Sequence, residues 1–277
     1  MKKFLVTLFF GLVLFLLCGS CLADNNSSRL VTKPVSVTSF TELSIQGDIE
    51  VELIQGSTHE VVIYAPKEVL PDVKITQTGN KLNIVRAKHF IKNKRYDVTV
   101  SVTMNTLAKL DMKNGAELKA KGVFSGSNIA INLNGASDVD RLHIKANNTQ
   151  ISLRGASDFN ASIDGSVSIR LEGASEADLY MENALSDLKA TLDTASSLSI
   201  DGTVRLLDIT ASAASGIDAD EAKIKKANIT LGAASRAELF VLEELSYRIS
   251  AASRLTVSGN PRILSAVSKG ASTFRMR

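Results

Sequence analysis

The sequence predicts an all-β chain: a parallel β-solenoid, or β-helix, of coils about 20 residues long, preceded by an N-terminal β capping region. Three observations carry this. A string of small residues, "LNGASDVD" at Leu133–Asp140, returns as "LRGASDFN", "LEGASEAD", "LGAASRAE" and "SKGASTFR". Its alanine recurs at Ala116, Ala136, Ala156, Ala174, Ala195, Ala214, Ala234, Ala252 and Ala271, a period near 20. Apolar residues flank it at spacings of two, as strands require.

The elements follow in chain order. Residues 1–23, "MKKFLVTLFFGLVLFLLCGSCLA", have a charged start, an apolar run from Phe4 to Leu17 and a small-residue end, the pattern of an export signal peptide. Two processing routes fit it: cleavage after Ala23, or lipoprotein processing that leaves Cys21 as the acylated first residue. Both cysteines of the chain lie in this leader, so the exported part must be stable without disulfides. Residues 24–29, "DNNSSR", are a short polar tether. Residues 30–105 lack the small triplet and read as longer alternating strands: "FTELSIQGDIEVELIQG", "HEVVIYAP", "KLNIVRAK" and "YDVTVSVTM". This is the expected cap, sealing the first coil from water.

Residues 106–277 are the solenoid. Before each triplet stand pairs such as Ile131 and Leu133, or Ile151 and Leu153; after it come Val139, Phe159, Ala177, Leu198 and Ile217. Each unit reads strand, small-residue corner, strand, polar turn. The unit is too short for a propeller blade, and it lacks the helical half and the fixed Asn or Cys of a leucine-rich repeat. When coils stack ~4.8 Å apart, a corner must suit the coil beneath as well. Hence the expected corner set Gly135, Ala136, Ser137, Gly155, Ala156, Ser157, Gly173, Ala174 and Ser175. Glycine takes positive φ freely, alanine fills a narrow bend, and serine can bond backbone groups the bend leaves unpaired.

At this point the chain resembles the family of exported proteins, common in Bacteroides-like bacteria, described as "putative auto-transporter adhesin, head GIN domain". The resemblance rests on "FTELSIQGDIEVELIQG" leading into "EVVIYAPKEVLPDVKITQTGNKLNIV", on the repeated "GAS", and on "VSGNPRILSAVSKGAS", from Val35 to Arg277. Gly47, Asp48 and Ile49 stand where the naming motif is expected. The resemblance implies an all-β, solenoid-like exported domain and brings no catalytic residues with it.

Candidate sites are few. The residue after the triplet serine is Asp138, Asp158 and Glu176 in early coils, and Arg236 and Arg254 in later ones. Stacked carboxylates at coil spacing would repel, so Asp138, Asp158 and Glu176 are a candidate column for a cation such as calcium, or another ligand. "RAKHFIKNKRYD" gathers Arg86, Lys88, Lys92, Lys94 and Arg95 around Phe90 and Tyr96, a candidate patch for an anionic glycan or lipid headgroup. Both features also fit solvated turns. His59, His89 and His143 stand singly, without metal-ligand spacing, and no cofactor is implied. With 32 basic against 29 acidic residues, nucleic acid is not an expected partner.

The functional expectation is a non-enzymatic cell-envelope protein, exported to the periplasm, outer membrane or cell surface. It would present a rigid repetitive surface to a glycan or envelope component, touching the membrane only through an acylated Cys21. The alternative is a carbohydrate-active β-helix enzyme using paired acids such as Asp138 and Asp158.

Overall fold

A computed structural model describes residues 30–87 and 96–277, and every structural statement below concerns these residues. The leader with Cys21, the tether, and Lys88, Lys92, Lys94 and Arg95 lie outside them.

The chain is a parallel β-solenoid with no α-helix. Its strands in order are β1 (Leu30–Val35), β2 (Glu42–Gln46), β3 (Ile49–Gln55), β4 (Glu60–Pro66), β5 (Val73–Thr78), β6 (Lys81–Arg86) and β7 (Thr99–Met104). Then come β8 (Lys109–Lys113), β9 (Ala116–Lys121), β10 (Val123–Asn134), β11 (Asp138–Arg154), β12 (Asp158–Glu172), β13 (Glu176–Met181) and β14 (Asp187–Asp193). The last are β15 (Ser197–Ala211), β16 (Gly216–Leu231), β17 (Arg236–Ile249), β18 (Arg254–Gly259), β19 (Arg262–Ser268) and β20 (Thr273–Met276). Each coil gives one strand segment before the small-residue corner and one after it, so two parallel ladders run the length of the stack.

The apolar pattern read from sequence is the core. Ile131, Ile151, Ile169, Ala190, Ile209, Ile229 and Tyr247 stack in one file, and Leu133, Leu153, Leu171, Leu192, Ala211, Leu231 and Ile249 in another. Val139, Phe159, Ala177, Leu198, Ile217, Ala237 and Leu255 face them from the other ladder, all buried. A lone coil would bury a few side chains at about 1.5–3 kcal/mol each, against about 1–2 kcal/mol of backbone entropy for each of its residues. Only neighbours on both sides make the coil stable. At the last coil, Tyr247 and Phe274 stack with ring centroids 4.4 Å apart and help fill the end of the core.

The corners explain the small residues. Both central residues have positive φ at Gly135 and Ala136, Thr194 and Ala195, Ala213 and Ala214, Ala233 and Ala234, and Ala251 and Ala252. At Gly155 and Gly173 only the glycine does, and a Cβ on Gly173 would stand 2.8 Å from the Gly155 carbonyl oxygen of the coil below. Thr194 is the β-branched exception, at φ 61°, in a region that disfavours such side chains. After each turn the serine is buried and its Oγ donates to the carbonyl three residues back. Ser157 reaches Arg154 O at 2.9 Å, Ser175 reaches Glu172 O at 2.7 Å, and Ser196 reaches Asp193 O at 2.6 Å. The serine closes the bend by adding a donor to its own turn, and Arg154 O and Glu172 O also take the N–H of Gly135 and of Gly155 in the neighbouring coil.

One phase differs from the sequence alignment. Asn134 pairs with Lys113 and Asp138 with Glu117, so Ala116 occupies the serine position and the turn above it is Asn114–Gly115. A match on alanine alone misses this, because the geometry follows the positive-φ pair.

β2 and β3 belong to the stack themselves. β2 pairs in parallel with both β6 and β8, and β3 with both β7 and β9. The coil made of β6 and β7 therefore lies outside the earlier coil of β2 and β3. Antiparallel strands finish this end: β5 on β6, β4 on β7, and β1 on β4. Lys33 and Pro34 on the outermost strand β1 are residues that discourage pairing with another sheet.

Candidate functional site

The pairing register turns alternate outward residues into files along the stack. After the corner, Glu117, Asp138, Asp158, Glu176, Ser197, Gly216, Arg236, Arg254 and Thr273 form one file. Asp138, Asp158 and Glu176 are thus neighbours at coil spacing. The next outward file holds Asn160, Asp178, Ser199, Asp218, Glu238 and Thr256.

This surface is electrostatically crowded. Burial, helped by Asp158, Glu117 and Asp140, pushes the Asp138 carboxyl above the usual range. Asp178 is raised by burial and then by Asp158 and Asp201. The acids lie in files rather than converging: no group of three or more His, Cys, Asp or Glu among the described residues is placed to hold a metal ion. At the other end Arg236 is bonded to Glu238, which also takes Arg277 at 3.3 Å. Near the first coils, Lys119 links Glu117 at 2.9 Å with Glu50 at 3.0 Å across two coils.

The crowding at Asp178 has a measurable sign. A carboxyl whose pKa is raised on folding opposes folding while charged, and the penalty disappears once the folded and unfolded forms are both protonated. Asp178→Asn is therefore expected to stabilise the fold at neutral pH, by under about 1 kcal/mol for so partly exposed a charge, and so to raise Tm. The gain should shrink as pH falls through the raised pKa and vanish below the ordinary aspartate value of about 3.9. Thermal scans of both proteins between neutral and acid pH check it.

Arg86 is committed to the backbone. Its guanidinium donates to Asp48 O, between β2 and β3, and, at 2.6 Å, to Tyr96 O ahead of β7. His59 contacts Phe40 O at 3.1 Å and meets the Phe40 ring edge-on. His143 Nε2 lies 2.9 Å from Glu182 Oε1, and Ser162 donates to that same oxygen. A nucleophilic serine needs a base to accept its proton while a third group orients that base; here Glu182 is the shared acceptor, and the trio ties neighbouring coils together.

The second surface was not singled out in the sequence. On the outer face of the other ladder a groove of about 560 Å³ is walled by Asn128, Asn148, Gln150, Ser166, Asp187 and Lys189. Asn148 Nδ2 donates to Asn128 Oδ1 at 3.3 Å, and the Asp187 amide to Ser166 Oγ at 3.2 Å, so the lining is linked from coil to coil. The signal was present: these are the polar positions flanking the buried Ile129, Thr149, Val167 and Leu188. In one dimension they look like any solvated strand face.

Comparisons with known proteins agree with this architecture. No curated protein matches the chain. A crystal structure titled "putative adhesin", from Parabacteroides distasonis ATCC 8503, is similar at a TM-score of 0.63 and 16% identity, covering 90% of this chain and 98% of that one. A "putative lipid binding protein" from the same organism gives 0.61 at 14% identity, covering 91% and 98%. A "putative adhesin" from Parabacteroides merdae ATCC 43184 gives 0.59 at 14%, covering 91% and 97%. At such identities the likeness is one of fold. The family model described as "Putative auto-transporter adhesin, head GIN domain" matches residues 39–168 and 160–261. With its corners, files and end strands accounted for in the same frame, the chain belongs to that head GIN domain family.

Proposed function

We propose that the chain is an exported, non-enzymatic adhesion module that holds an extended, rigid surface against a glycan or other envelope component. The observation that carries this is the continuity of the outward files, which run unbroken from coil to coil. Polar groups set in such files suit contact with a long or repetitive partner. Catalysis calls instead for a convergent cluster within hydrogen-bond reach of one reacting atom. The near-balance of 32 basic and 29 acidic residues argues against nucleic acid as that partner. The family's adhesin description points the same way. Acylation at Cys21 would tether the module to a membrane, and the mass of the mature N-terminus reads this directly.

The test is retention without turnover. Residues 24–277 are expected to bind saturably to immobilised envelope and extracellular polysaccharide while reducing ends and unsaturated uronates stay at background. Shortening of any polymer would replace this reading with a carbohydrate-active enzyme.

A further inference from the structure

We propose that the groove across β10, β11, β12 and β14 binds a neutral, hydroxyl-rich glycan lying along the coil axis. The inference rests on the adhesion reading and names a partner class and a place for it. Among the described residues, two buried side-chain polar atoms lack a hydrogen-bond partner, Thr149 Oγ1 and Asp187 Oδ1. Both residues line this one groove. Buried polar atoms are nearly always satisfied, and those that are not call for a specific explanation.

The chemistry of the two residues is complementary to a sugar. Asp187 uses Oδ2 on Arg205, which leaves Oδ1 as an acceptor in need of a donor. Thr149 is 1% exposed and stands in register between Ile129 and Val167, a place otherwise apolar, where a hydroxyl has no packing advantage. Around them Asn128, Asn148, Gln150 and Ser166 supply uncharged donors and acceptors beside apolar Ala130 and Val167; Asp187 is neutralised by Arg205, and Lys189 is the one further charge. One cation among uncharged groups is neither the basic cluster that a polyanion needs nor an acidic face for a polycation.

Geometry narrows the class further. The groove crosses successive coils about 4.8 Å apart, close to the length of one hexose unit along a polysaccharide, so each sugar can meet an equivalent polar position. A peptide cannot add itself here as a strand. Strand addition needs a free sheet edge, and β10, β11 and β12 each have ladder neighbours on both sides.

Isothermal titration of residues 24–277 with neutral hexose hexamers (cellohexaose, maltohexaose, mannohexaose) and with polygalacturonate tests the assignment. At least one neutral hexamer is expected to bind, with polygalacturonate inert. Asn148→Ala combined with Gln150→Ala, two exposed positions, and separately Asp187→Ala, should each weaken that binding about tenfold while Tm is retained. Loss in either variant supports the groove. It is overturned by failure of every neutral hexamer, by preference for polygalacturonate, or by unchanged affinity in both variants. If the hexamers fail while the chain still adheres to envelope polysaccharide, the groove assignment falls and the adhesion reading stands. Failure of both takes both.

Discussion

Replacing Gly165 by alanine is expected to destabilise the chain by about 4 kcal/mol, near the upper end of single-substitution effects. Opposite Gly165 the neighbouring coil carries a bulge. Lys145 pairs with Asp164 and Asn148 with Ser166, so Ala146 and Asn147 together face one residue. Gly165 meets this with φ +144°, and a Cβ there would lie 1.6 Å from the Ala146 carbonyl oxygen. The obstacle is backbone, which no rotamer change can move. Relief requires the two coils to separate or slip, and either motion breaks ladder hydrogen bonds and opens the Ile144–Ile163 contact in the core. For a domain of this size the effect amounts to a fall in Tm of roughly 8–16 °C. An unfolding free energy from urea melts within about 1 kcal/mol of wild type would show that the bulge yields, and the rigid-coil argument would then fail.

Ser175→Ala is expected to cost about 1 kcal/mol, the range for losing one hydrogen bond whose acceptor keeps another partner. The Ser175 hydroxyl lies 2.7 Å from Glu172 O in its own turn and 3.2 Å from Gly155 O in the coil below, so it fastens the bend and ties two coils together. Alanine fits the space and removes that donor, while the Glu172 carbonyl keeps the Gly155 N–H at 3.1 Å. Ser137→Ala should be milder, because Ser137 makes only longer contacts, 3.1 Å to Asn134 O and 3.4 Å to Gly135 O, both within its own turn. Equal effects at the two sites would refute a ranking by hydrogen-bond geometry. Paired urea melts of the two variants decide it.

The corner residues were legible in sequence because their constraint is local. A turn with positive φ favours Gly or a small residue wherever it occurs, and the buried partners Leu133, Leu153 and Leu171 alternate with polar neighbours within their own strands. The file of Asp138, Asp158 and Glu176 followed from the same reasoning, since equal spacing in the unit becomes adjacency in the stack. The phase at Ala116 did not follow: Asn114 and Gly115 can form the same positive-φ pair as Gly135 and Ala136, and only the partner strand shows which residues are equivalent. Arg86 likewise read as a surface cation until Asp48 O and Tyr96 O were seen beside it.

The amino-acid order alone determined that this chain coils, how long each coil is, which side chains face inward and, from Gly135 onward, where the bends fall. These depend on φ preferences and on alternation along a strand, both of which act within a few residues. Tertiary structure alone decided that β6 and β7 lie outside β2 and β3, that a bulge faces Gly165, and that the orphan atoms of Thr149 and Asp187 share a groove. Those outcomes depend on which strand lies alongside which. That choice is made by backbone pairing between residues distant in sequence, and side-chain alternation within a strand is the same whichever neighbour it has.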